Sequence, residues 1–222
     1  IGHNEQYSMY NLFNLARCYM MSGQLREAID QFTKFIAIHD KNRQVSSNDA
    51  THAPHLGAHT LVADCMMTLG QYSDALLHLT ICVDKISKAL NGLTRKDRSF
   101  RTLRKQLASA YMKLAECKLA NSNESLERVM HDISKAVECD QAESSYWVNR
   151  ALFHMFHTKE YEKAVYDFSV ALLRYQEQTS DRRPQLIESV DSQKLQYHDV
   201  LLLKAMCYEC LNQWEEAIAE YT

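Results

Sequence analysis

Glycine and proline are scarce in this chain, at 5 and 2 of 222 residues. An all-β protein needs turn residues roughly every 8–12 positions, so that class is excluded. No run of about 18 uncharged apolar residues occurs, which excludes a membrane-spanning helix. No cationic surplus exists either: 25 basic and 28 acidic side chains leave a net charge of -3. Nucleic acid is therefore not the default partner. The first six residues lack a basic stretch and an apolar run, so they do not read as a signal peptide. Also missing are a glycine-rich phosphate loop, G-x-S-x-G and H-E-x-x-H. What is present is 46% apolar and 24% charged residues, the balance of a folded, soluble, helical protein.

The seven cysteines are an odd number, and most lie within apolar helical patterns. Cys18, Cys65, Cys82, Cys117 and Cys207 read as small core residues of a reducing compartment. A cytoplasmic location is expected, with association with an organelle or a cilium left open.

A pattern recurs five times: Gly23-Gln24-Leu25-Arg26-Glu27-Ala28, Gly70-Gln71-Tyr72-Ser73-Asp74-Ala75, Glu124-Ser125-Leu126-Glu127-Arg128-Val129, Lys159-Glu160-Tyr161-Glu162-Lys163-Ala164 and Asn212-Gln213-Trp214-Glu215-Glu216-Ala217. Four residues past the small residue stands a bulky one: Phe32, Leu79, Ile133, Phe168 or Tyr221. Seven past it come Phe35, Cys82, Ala136 and Ala171. Those spacings put the side chains on one helical face. A second amphipathic run lies upstream, as with Leu12, Leu15, Ala16 and Tyr19, or Leu201, Ala205 and Tyr208. Gly23 and Gly70 suit a left-handed helix end, where a Cβ is penalised. The pattern predicts five helix-turn-helix hairpins, with Ala16, Ala28, Ala63, Ala75, Ala164, Ala205 and Ala217 letting paired helices approach closely.

These residues resemble the tetratricopeptide repeat family. The best-matching unit runs from Tyr146-Trp147-Val148-Asn149-Arg150-Ala151 to Glu160-Tyr161-Glu162-Lys163-Ala164-Val165-Tyr166-Asp167-Phe168. The resemblance implies an all-α, right-handed superhelical solenoid of stacked hairpins, here with long inserts between repeats. Repeats are placed at 8–40, 56–90, 106–141, 142–175 and 198–222, and inserts at 41–55, 91–105 and 176–197. Successive turns lie 47, 54, 35 and 53 residues apart, against a family period of about 34. The family's usual proline after the second helix is missing throughout. The last repeat is cut short, so the chain is expected to be a fragment of a longer protein.

The first insert, with Pro54 ahead of the next helix, reads as a solvated loop. The second reads as the end of a long helix from Ser73 to Leu90, a stop at Asn91-Gly92, and a new helix capped by Asp97 or Ser99. In the third, a short extra helix is expected between Gln185 and Tyr197. Long inserts of this kind line one face of a repeat stack.

Chemistry is sparsely signalled. Cys207 and Cys210 form a C-x-x-C without the strand and helix start that a redox site needs. His52, His55 and His59, and again His154 with His157, have spacings that a metal could use. Solvated or capping histidines explain them as well, and no catalytic residue, cofactor or metal is expected. Arg95, Lys96, Arg98, Arg101, Arg104 and Lys105 face only Asp97 as an opposing charge. With a helix starting there, Arg101, Arg104 and Lys105 share a face suited to an acidic partner, or make a solvated surface.

By the family resemblance, a partner peptide or helix lies in a concave groove lined mainly by the first helix of each hairpin. The matching positions include Asn14 and Arg17, Leu61 and Asp64, then Asn149, Leu152, Met155 and Phe156, and finally Leu202, Leu203 and Met206. That lining is apolar and methionine-rich, which suits a helical ligand. The expected function is a non-catalytic protein–protein interaction scaffold, a subunit of a larger assembly, with no nucleic acid and no membrane insertion. Two alternatives are a co-chaperone module that recognises an acidic C-terminal peptide, and the interaction domain of an enzyme whose catalytic domain lies elsewhere. For the former, Asn14 and Asn149 match asparagines of the family's carboxylate clamp, while Tyr10 stands in place of its lysine. The close approach at the small residues is testable: Ala164→Leu should cost about 1–3 kcal/mol by overpacking, read from denaturant unfolding.

Overall fold

A computed structural model describes residues 3–43, 53–121, 124–180 and 196–222. No strand occurs among the described residues. The helices are α1 (His3–Met21), α2 (Leu25–Arg43), α3 (Ala53–Thr68), α4 (Tyr72–Asn91), α5 (Arg98–Ala120), α6 (Leu126–Cys139), α7 (Ser144–Phe153), α8 (Tyr161–Ser180), α9 (Tyr197–Cys210) and α10 (Trp214–Tyr221). A π-helical turn, His154–Thr158, continues α7. The chain divides into two compact units, Ile1–Asp132 and Ile133–Thr222.

In the first unit α1 packs on α2, α2 on α3, α3 on α4 and α4 on α5. Its cores join consecutive helices. Phe32, Phe35 and Ile36 of α2 meet Ala16 of α1 and Ala58, Val62 and Cys65 of α3. Leu79 of α4 meets Ala63, Leu114 and Cys117. In the second unit α7 packs on α8, α8 on α9 and α9 on α10. Ala151, Met155, Ala164, Phe168, Val200 and Cys207 form one core there. Full burial of a side chain such as Phe168 contributes about 1.5–3 kcal/mol.

Alanines sit where paired helices approach. Ala16 and Ala28, Ala63 and Ala75, Ala151 and Ala164, and Ala205 and Ala217 are all buried. Three pairs are 12 residues apart and the α7–α8 pair is 13 apart. The π turn takes up that extra residue, since its wider coil adds one residue without displacing the ends.

Turns reuse one motif. Gly23 and Gly70 adopt φ of 79° and 76°, as the sequence requires. Gln24 N–H donates to the Tyr19 carbonyl at 2.9 Å and Gln71 N–H to the Met66 carbonyl at 2.8 Å, closing α1 and α3. Asn212 (φ 59°) makes the same closure, with Gln213 N–H donating to the Tyr208 carbonyl. Lys159 (φ 56°) follows the π turn, and Glu160 N–H reaches the His154 carbonyl six residues back. Asparagine tolerates this conformation better than other non-glycine residues, and lysine has no such advantage.

Several expectations change. Cys18 and Leu15 are exposed, on the side of α1 away from its neighbours. Tyr221 is exposed as well, because α10 packs mainly on α9; its hydroxyl donates to Glu209 at 3.0 Å. Pro54 lies inside the first turn of α3, where a missing N–H costs nothing, rather than ahead of the helix. The helix expected near residue 97 or 99 is α5, and of its two candidate caps Asp97 is the residue that precedes it. Gly92 stays right-handed at φ -89°. The long α4 runs as anticipated. Of the third insert, α8 extends to Ser180 and Tyr197 opens α9; the extra helix expected from Gln185 falls almost wholly outside the described residues. His52 also lies outside them.

A polar chain runs through the first unit. Lys85 Nζ donates to both oxygens of Asp40, at 3.0 and 2.9 Å, and lies 3.3 Å from Nε2 of the buried His59. An ammonium has no lone pair, so that Nε2 accepts and His59 carries its proton on Nδ1. Nδ1–H then donates to Nδ1 of His78 at 3.2 Å. Protonating His78 at Nδ1 sets two donors face to face. Burial also lowers the His78 pKa from its ordinary 6.5, opposed by Asp74. A histidine lowered on folding supports stability above its unfolded value, and this support is lost as pH falls through the folded value. Hydrogen exchange of α3 and α4 should therefore accelerate as pH drops below about 6.5, after correction for intrinsic rates, and less so in His78→Gln. An equal response in both proteins would refute this.

Candidate partner-binding surface

The residues expected to face a partner come from α1 and α3 in the first unit, and from α7, its π turn and α9 in the second. In the first unit Asn14 and Arg17 are exposed on α1. Leu61 packs against the core that Phe32 fills. Asp64 is engaged: Lys113 of α5 donates to its carboxylate. This part of the surface is polar. Tyr10, in the place of the clamp lysine, is exposed on α1.

The second unit separates the expected lining into two groups. Met155 is 6% exposed and belongs to the core with Phe168 and Val200, so it does not line an open surface. Leu152 and Leu203 pack against the same core, and Asn149 is half-buried. Phe156, Leu202 and Met206 are left at 59%, 50% and 43% exposed. Consecutive residues point in different directions around a helix, so Met155 is held inward while Phe156 is turned out. Leu202 and Met206 are one helical turn apart on α9 and share a face.

The side chain that fixes α7 against α8 was not signalled by any binding motif. Arg150 donates from Nε and Nη2 to the two oxygens of Asp167, each at 2.7 Å. Asp167 is buried, and its hydrogen bonds raise the Arg150 pKa further against the opposing effect of burial. The guanidinium also lies 4.8 Å from the ring centre of Trp147, whose Nε1–H donates to the Gln141 carbonyl. A planar fork matched to a carboxylate and stacked on an aromatic face orders all three groups. In the sequence, the signal is only an acid at a core-facing position beside Phe168 and an arginine one residue before Ala151.

Among the described residues, the cysteine and histidine clusters make structural contacts. Cys207 is buried and its thiol is pushed up to about 11 by burial, with Cys210 adding to it, the opposite of an activated thiol. His154 Nδ1 lies 3.0 Å from Glu160 Oε2 and 3.3 Å from the Thr158 hydroxyl, closing the turn before α8. His157 instead lies against the Phe153 ring, at 4.9 Å between centres. Among the described residues no group of three or more His, Cys, Asp or Glu side chains is placed to hold a metal ion. No described helix is long and apolar enough to cross a membrane.

Comparison with known proteins matches this architecture. Residues 10–42 match the tetratricopeptide repeat family. The chain is similar to nearly identical TPR-like repeats from Podosopora anserina, at 19% identity and a TM-score of 0.60, covering 100% of this chain and 93% of the other. It is similar to BtubC (BKLC) from P. vanneervenii, at 16% identity and a TM-score of 0.61, covering 93% and 74%. YrrB, a TPR protein with an unusual peptide-binding site, aligns at 13% identity and a TM-score of 0.50, covering 94% and 80%. No curated protein sequence matches the chain. Residues 10–42 are thus a tetratricopeptide repeat, and the chain has the fold of tetratricopeptide-repeat proteins.

Removing the Asp167 carboxylate strands a partly buried guanidinium. Asp167→Ala should destabilise the second unit by about 3–5 kcal/mol, and Asp167→Asn by less. Both tryptophans, Trp147 and Trp214, lie in that unit, so their fluorescence during urea unfolding reports on it alone.

Proposed function

We propose that the chain is a non-catalytic scaffold that holds a helical or extended segment of a partner protein, with Phe156, Leu202 and Met206 as its apolar anchors. The observation that carries this reading is the exposure of these three large side chains beside a well-filled core. Their neighbours Met155, Leu152 and Leu203 find partners inside, so apolar surface is retained on α9 and the π turn rather than left by poor packing. A flexible thioether beside a branched aliphatic and an aromatic ring accommodates ligand side chains of varied shape. The peptide-binding site named for YrrB, a fold neighbour, supports a peptide as the class of ligand. Membership of a larger assembly is part of the same proposal, as is a cytoplasmic, reducing environment. The free cysteines support the latter, with four of them buried as thiols.

The test uses the complete chain, cross-linked in cell extract and purified with its partner. A combined Leu202→Glu and Met206→Glu variant should lose the partner by tenfold or more, on the order expected for interface hot spots. Both side chains point away from the core, so thermal unfolding should shift little. Leu77→Glu, at a comparably exposed leucine of α4, should retain the partner. Leu203 is a poor choice for substitution because it packs inside. Retention of the partner by the double variant overturns the proposal.

A further inference from the structure

We propose that the loop before α5 and the first turns of α5 form a second docking surface, for a carboxylate-rich segment of a partner protein. Residues 94–105 hold six cations and one carboxylate, whereas the other 210 residues hold 19 cations and 27 carboxylates. Positive charge is thus concentrated on a molecule that is otherwise acidic. The single acid is spent: Asp97 accepts from the Thr94 N–H at 2.6 Å and from its hydroxyl at 2.9 Å, fixing the loop rather than neutralising an arginine.

Elsewhere many of the described cations are paired. Lys34 holds Asp30, Lys88 holds Asp84, Lys118 holds Asp132 and Lys204 holds Glu220, all within 2.7 Å. Unpaired cations such as Arg17 and Arg26 stand singly. At the start of α5 they cluster: Arg95, Lys96 and Arg101 are exposed and have no ion-pair partner among the described residues. Arg104 and Lys105 follow Arg101 by three and four positions on the same helical side, with Leu103 and Leu107 turned into the core.

The placement is also unfavourable for the isolated helix. The start of α5 has no acidic residue in its first turn and no side-chain cap from Asp97. Cations at this positive end of the helix dipole repel it, and an incoming carboxylate relieves both charges. Between exposed groups such attraction acts over about 10 Å at 0.1 M salt and mainly raises the association rate. This surface involves none of the second unit's apolar anchors and stands or falls separately from them.

The probe is a fluorescent peptide of about ten alternating Glu and Ser residues, titrated into the complete chain at two salt concentrations. Binding should weaken about tenfold on combined Arg95→Ala, Lys96→Ala and Arg101→Ala substitution, the sum of three exposed ion pairs. It should also weaken as salt rises. A charge-matched control removes Lys34, Lys88 and Arg128 instead and should bind as the parent does. Equal loss in that control would overturn the proposal by showing a response to net charge alone. So would an unchanged affinity in the triple variant, or tighter retention of phosphopeptides, single-stranded RNA or anionic vesicles than of the carboxylate peptide.

Discussion

Close approach of helices at alanine is the constraint on which the rest of the structure depends. With only a methyl group between the paired backbones, ridges of large residues from the next helix can close over the crossing. Phe32, Leu79 and Phe168 are fully buried for this reason. A hairpin offers too little apolar area to fold alone, so each one leaves a face that its neighbour must cover. Small residues at the crossing and bulky ones four positions later are two halves of one device.

Charge supplements that packing and directs what remains at the surface. Arg150 and Asp167 lock α7 against α8, while Lys85, Asp40, His59 and His78 form a hydrogen-bonded chain in the first unit. Buried ionic groups of this kind are costly to desolvate, so their gain lies in fixing orientation rather than in net stability. Against this thrift, the exposed apolar side chains on α9 and the exposed cations before α5 stand out, and these are the two surfaces proposed for partners.

The repeat was legible because its signal is carried by spacing. Alanine and a bulky residue four positions on identify a crossing whatever surrounds them, and Gly23 and Gly70 announce their turns through backbone sterics alone. Exposure was less legible. Met155 and Phe156 are adjacent, apolar and equally suited to a groove, and only the packing against Phe168 and Val200 decides that Met155 is buried while Phe156 stays exposed. Cys18 and Leu15 fit an apolar stripe wider than the neighbours of α1 cover. The start of α5 was legible from its capping residue, since Asp97 stands directly before the helix. Arg150 with Asp167 carries no such signal, since pairing across a turn follows no fixed sequence interval.

The π turn has one more consequence. Three crossings keep 12 residues between their alanines and the fourth keeps 13, yet the hairpin closes as the others do. The extra residue is thus accommodated inside a helix instead of in a loop, so a hairpin of different length still keeps its alanine crossing. Strict periodicity is then not a requirement of this hairpin, because a wider helical turn absorbs one residue while the crossing of Ala151 and Ala164 stays in place.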